Sequence, residues 1–251
     1  MPEYKAPSVY VEEVSLRAKS IEGASTTTTA FVGPTALGPL TVAGEAPPSL
    51  LTGFREFEGL YGGLQDLSPG TPNYLAHAVR VYFDNGGSRI YVARVAQAAG
   101  EADYVAALDR LLELKDVSIV AAPGASTLPS PLAAQVNAAL IRHAETAGAY
   151  RFAVLDPPPS LDIAGVRDLR SAYDSAAAAL YYPWVLITDP RPVRPPAQPA
   201  RLALPPSGFV CGVYARGDVQ RGVWKAPANE TVTDAVGLQR EVTSGEQEVL
   251  N

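Results

Sequence analysis

Val117-Ser118-Ile119-Val120-Ala121-Ala122-Pro123-Gly124 is a run of β-branched and small apolar residues closed by a Pro-Gly turn. Such a run, apolar on both faces, suits a strand covered from both sides. It lies between two amphipathic patterns. Before it, Tyr104, Val105, Leu108, Leu111 and Leu112 recur at helical spacing; after it, Ser130 as N-cap and Pro131 at the first helical position open a helix carrying Leu132, Val136 and Leu140, with Gly148 as its stop. The alternation continues through a strand from Tyr150 to Leu155, a helix with Val166, Leu169, Tyr173 and Leu180, and a strand from Trp184 to Thr188. Strands of this kind alternating with helices predict an α/β fold, a mostly parallel sheet covered by helices.

Working towards the N-terminus, Arg89 to Val95 reads as a strand, preceded by a helix with Thr71 as N-cap, Pro72 at its first position, Leu75, Val79, Tyr82 and Phe83 on its face, and Asn85-Gly86-Gly87 as its stop. A short amphipathic segment places Phe54, Phe57 and Leu60 together, Gly38 to Ser49 is loop, and Thr27 to Gly33 is a strand stopped by Gly33-Pro34. At the chain's start, Val9-Tyr10-Val11-Glu12-Glu13-Val14 forms a terminal strand. An extended terminal segment can pair within its own domain or add to the edge of a neighbour's sheet. Repeated head to tail, the second arrangement gives rings or helical filaments.

Towards the C-terminus, prolines at 190, 192, 195, 196, 199, 205 and 206 make residues 190–206 a stiff connector, unable to hold a helix or a central strand. The PxxP matches within it follow from proline density alone. Ser207 caps a helix through about Asp218, Gly222 to Pro227 is extended, and Val242 to Asn251 is acidic and polar.

Composition narrows the function classes. The 251 residues are 47% hydrophobic and 18% charged, with 23 Pro and 21 Gly, which means a globular chain rich in turns. A net charge of −6 removes the basic footprint of a nucleic-acid binder. One cysteine, Cys211, allows no internal disulfide and suits a reducing compartment. The start lacks a basic region followed by an apolar stretch, and no run reaches the ~20 apolar residues of a membrane helix, so a soluble, cytoplasmic chain is expected.

Candidate chemistry is sparse. No G-x-G-x-x-G, G-x-x-x-x-G-K-[ST] or G-x-S-x-G occurs, although the amides of Pro123-Gly124-Ala125-Ser126-Thr127 could hold an anion. Asp156 and Asp189 each follow a predicted strand, and two carboxylates at adjacent strand ends could bind a divalent metal or serve as an acid/base pair. Each also precedes proline, where aspartate ordinarily starts a turn. His77 and His143, the only histidines, fit partly exposed helix positions; Cys211 fits a small core residue; Asn229-Glu230-Thr231 matches a glycosylation sequon but no secretion signal accompanies it. No catalytic, cofactor-binding or metal site is assigned. The alternative kept open is a small-ligand or metal-assisted α/β enzyme using Asp156 and Asp189.

Several stretches together resemble a known family. Ala6-Pro7-Ser8-Val9-Tyr10-Val11-Glu12-Glu13-Val14 is similar to the P-G-V-Y-I-E-E opening of contractile tail sheath proteins, found in phage tails, pyocin-like particles and extracellular contractile injection systems. Ile21 to Thr26, Ala30-Phe31-Val32-Gly33, Gly38-Pro39, Phe83 to Gly87 and Tyr91 to Val95 follow in order. So do Pro205 to Gly208, Gly212 to Arg216, Asp218 and Arg221 to Asn229. The resemblance implies a non-enzymatic structural subunit, without cofactors, that polymerises as stacked hexameric rings around an inner tube. It would contract to drive that tube into a target membrane. Implied partners are other copies of the chain, the inner tube protein, and baseplate and terminal cap proteins, with no nucleic acid and no membrane insertion. Assembly would be cytoplasmic, within a phage tail or injection particle. On this reading residues 1–26 are an exchange arm and linker, 27–100 and 101–189 the two parts of the core, 190–206 the connector, and 207–251 the start of an inner domain. Family members continue past the equivalent of Asn251 into a segment that completes that inner domain. Expected subunit contacts are Val9, Tyr10, Val11, Glu12, Glu13 and Val14 as the donated strand, with Trp224 and Lys225 in the inner domain. For Trp224, packing in the core is an equal alternative.

Overall fold

The computed structural model describes residues 28–41, 46–191 and 200–250. The expected strand Val9 to Val14 lies outside them. A six-stranded sheet runs in the order β2-β3-β1-β4-β5-β6, built from β1 (Thr28–Pro34), β2 (Ser49–Leu51), β3 (Ile90–Val95), β4 (Val117–Ala121), β5 (Phe152–Leu155) and β6 (Ala178–Leu180). Every pairing is parallel except that of β2, which lies antiparallel along β3 at one edge. This is the expected α/β sheet, mostly parallel and covered by helices.

Alternation along β1 divides the core. Ala30 and Val32 face α3 (Glu101–Leu112) and α4 (Ser130–Ala144), where Tyr104, Leu108, Leu111, Val136 and Leu140 are buried. Phe31 faces the other way, onto Phe57 and Tyr61 of α1 (Phe54–Tyr61) and Leu75, Val79 and Tyr82 of α2 (Tyr74–Asp84). Each fully buried side chain of this size contributes roughly 1.5–3 kcal/mol. The two layers hold the central strands from both sides.

Beyond α2 lies a second sheet, β8-β7-β9, made of β7 (Val185–Thr188), β8 (Arg201–Leu204) and β9 (Gly237–Leu238), all antiparallel. Val185, Ile187 and Leu204 bury against Val81 of α2 and Phe209 of α6 (Ser207–Arg221). Thus α2 is covered on one face by the large sheet and on another by the small one. Helices α5 (Ile163–Ser171) and α7 (Ser244–Leu250) complete the described α-helices.

Several sequence expectations need correction. Residues 178–180, read as helix, pair with β5 as an edge strand, and the apolar run at 185–188 belongs to the small antiparallel sheet. Within 190–206, Arg201–Leu204 is a strand at the edge of that sheet, a position where prolines are tolerated. α2 is capped by Asn73, whose side-chain oxygen accepts from the Ala76 amide at 3.2 Å, and not by Thr71. Leu60 is 38% exposed, and Tyr61 takes its place in the core. The segment after Gly222 is turned, not extended. Both histidines are buried.

Candidate functional site

Asp156 and Asp189 end strands of different sheets, β5 and β7, so they are not the adjacent pair that acid/base or metal chemistry would require. Each is absorbed locally. Asp156 is buried, with Oδ1 accepting from the Ser207 amide at 2.8 Å and Oδ2 from the Ser207 hydroxyl at 2.6 Å. It therefore fastens the first turn of α6 to the end of β5. Desolvation pushes its carboxyl up to about 7 against the pull of those two donors. Asp189 is held below the usual carboxylate range by hydrogen bonds from Arg191, whose guanidinium also reaches Asp66 at 2.5 Å. Among the described residues no three His, Cys, Asp or Glu side chains are grouped to hold a metal. Nor is any described helix long and apolar enough to cross a membrane.

The Pro123 to Thr127 loop forms a 3-10 turn, Ala125–Thr127, in which the Thr127 and Leu128 amides bond back to Gly124 and Ala125 carbonyls. Cys211 is fully buried against the large sheet's helical layer, as expected of a small core residue.

The surface differs at the end of α6. Val219, Val223 and Trp224 are all exposed, Trp224 by 84%, so its ring is not part of the core of this chain. The turn presenting it is nonetheless held firmly. Gly222 adopts φ +93°, and a Cβ there would meet the Trp224 ring at 2.1 Å, so only glycine lets the indole fold back over the backbone. The Lys225 ammonium points into its own loop, donating to Ala226 O at 2.7 Å, Ala228 O at 3.0 Å and Glu230 at 3.2 Å. The loop is in turn tied to α2. Asn85 Oδ1 accepts from the Thr233 amide at 2.8 Å, and Arg216 donates to Asn85 O and Thr231 O. Trp224 is thus a large, exposed aromatic on a fixed turn. The exposure of Trp224 is something sequence pattern alone could not decide.

A mostly parallel sheet covered by helices, with a small antiparallel sheet beside it, defines an α/β protein. The family model described as the phage tail sheath protein central domain matches residues 97–251, more than half of the chain, and the chain belongs to that family. No curated protein matches it significantly. Among solved structures, the contracted helical sheath of the anti-feeding prophage matches at 26% identity and TM-score 0.67, covering 98% of this chain and 62% of that one. The baseplate of the same particle, sixfold symmetrised, matches at 27% identity and TM-score 0.69, over 99% and 63%. The contracted sheath complex of the extracellular contractile injection system PVC matches at 25% and 0.67, over 99% and 60%. The chain thus spans about three fifths of the length of these relatives.

Proposed function

We propose that this protein is a subunit of a contractile sheath, polymerising as stacked hexameric rings around an inner tube and contracting to drive that tube into a target membrane. The observation that carries this reading is the match of almost the whole chain to subunits of two contractile sheaths. Its neighbours in the particle would be other copies of itself, the inner tube protein, and baseplate and terminal cap proteins, with assembly in the cytoplasm. Work would come from two packings of the same subunits, extended and contracted. Such a role needs subunit contacts and no catalytic centre.

On this reading Val9 to Val14 is donated to a neighbour's sheet, and the Trp224 turn, fixed by Lys225, offers an apolar contact. Negative-stain microscopy of purified material, or of material co-expressed with a tube protein, is expected to show rings or striated tubes. Deleting residues 1–14 is expected to abolish these while leaving circular dichroism and melting temperature unchanged. Equal polymer yield from the deletion would rule out the donated arm. A uniform monomer whose melting temperature rises with nucleotide or divalent metal would replace the sheath reading with a ligand-binding one.

A further inference from the structure

His77 lies on the face of α2 that meets the small sheet, between Tyr74 and Val81, which pack against Val185, Ile187, Leu204 and Phe209. Its side chain is fully buried, and neither ring nitrogen has a hydrogen-bond partner among the described residues. The charges nearest it are cations and already-paired anions. Arg80, one turn along α2, is held by Asp84 at 3.0 Å and Asp234 at 2.7 Å. Arg191, beyond the end of β7, is held by Asp189 at 2.6 Å and Asp66 at 2.5 Å. A proton added to His77 would create a third cation with no acceptor at hand. Asp189 and Asp66, the carboxylates able to offset it, are both committed to Arg191.

We propose that His77 makes the seam between α2 and the small sheet an acid-operated joint, its protonation releasing β7, β8 and β9 from α2 while the six-stranded sheet stays folded. Burial, reinforced by Arg80 and Arg191 and opposed by Asp189 and Asp66, lowers the imidazole from 6.5 to about 4. The closed seam therefore binds fewer protons than the open one between these values. The part of its stability that rests on a neutral His77 is complete above pH 6.5 and is lost as pH falls towards 4. Across that window the balance shifts towards the open form by two to three orders of magnitude, tenfold per pH unit. The joint belongs to the single chain and needs no neighbour.

Trp184 is a built-in reporter. It is buried at the start of β7, its indole N–H donates to Pro157 O at 2.8 Å, and its ring meets Tyr74 edge-on at 5.5 Å between centroids. In a Trp224→Phe parent, emission then comes from the seam alone. Between pH 6.5 and 4 this emission is expected to shift to the red while far-ultraviolet ellipticity is retained. His77→Leu should move the transition below pH 4, and His143→Leu should leave it in place. In parallel, amide exchange in the parent should accelerate first in β7 and β8 and last in β1, β3 and β4, a readout that holds even if His77→Leu does not fold. The joint is overturned if emission is constant down to pH 4, if emission and ellipticity change together, if His77→Leu follows the parent, or if all strands lose protection at once.

Discussion

At Gly212, a single missing methyl group sets how closely two helices approach. A Cβ there would lie 2.7 Å from both Tyr82 O and Asn85 Cβ, and one at Gly208 would lie 2.8 Å from the Ala78 Cα. The glycine face of α6 therefore rests directly on the backbone of α2. Gly212→Ala is expected to destabilise the fold by about 1–3 kcal/mol through overpacking, read as a lower urea midpoint with an unchanged slope. Asp156 carries a pH signature of opposite sign to the histidines. Its folded carboxyl, raised to about 7 from 3.8 chiefly by burial, contributes stability that is complete below 3.8 and lost as pH rises through 7. The melting temperature of Asp156→Asn is accordingly expected to gain on the wild type as pH is raised from 5 to 7.5; parallel curves would exclude a raised carboxyl. Residue roles were partly legible. Cys211 among Phe209, Val210 and Val213 reads as core from its neighbours alone. The burial of His77 does not, because a helical wheel cannot reveal that a second sheet covers the face beyond the first.

Among the elements, α3 ends on a buried arginine. Arg151, just before β5, donates to Leu111 O at 2.6 Å and Leu114 O at 2.5 Å, and also to His143 Nε2 at 2.5 Å, which must therefore be an unprotonated acceptor. Burial and this guanidinium lower His143 to about 4. Arg151→Met keeps the volume but leaves those carbonyls without a charged donor, at an expected cost of roughly 1.5–3 kcal/mol. Amide exchange should show the loss concentrated in the last turn of α3. Long, strongly periodic elements, α3, α4 and β4, were readable from spacing, although α4 opens at Ser130 behind Pro129 as N-cap, not with Ser130 as the cap. β6 was not: the Ala-rich run Ala176 to Leu180 has high intrinsic helix propensity, and pairing with β5 overrides it. β7 has the apolar character of a parallel core strand, and only its partners, β8 and β9, show that it builds a different sheet.

For the whole molecule, family and fold were visible in the ordered motifs, since these mark turns and joints that recur in the same sequence order. The exposure of Trp224 was less so, because exposure depends on packing. Trp224→Ser is expected to leave melting temperature within about 0.5 kcal/mol-equivalent of wild type, as for other exposed positions, yet to reduce assembly in light scattering and microscopy. Undiminished assembly would remove Trp224 from the interface. The position of α2 has a mechanical meaning for any such assembly. Leu75, Ala76, Ala78, Val79 and Tyr82 of this helix lie in the core of the large sheet, and Val81 lies in that of the small one. In such an assembly, tension arriving at either sheet would pass to the other through this helix and through α6, which also contributes to both cores, so the seam that His77 occupies would lie on the load path.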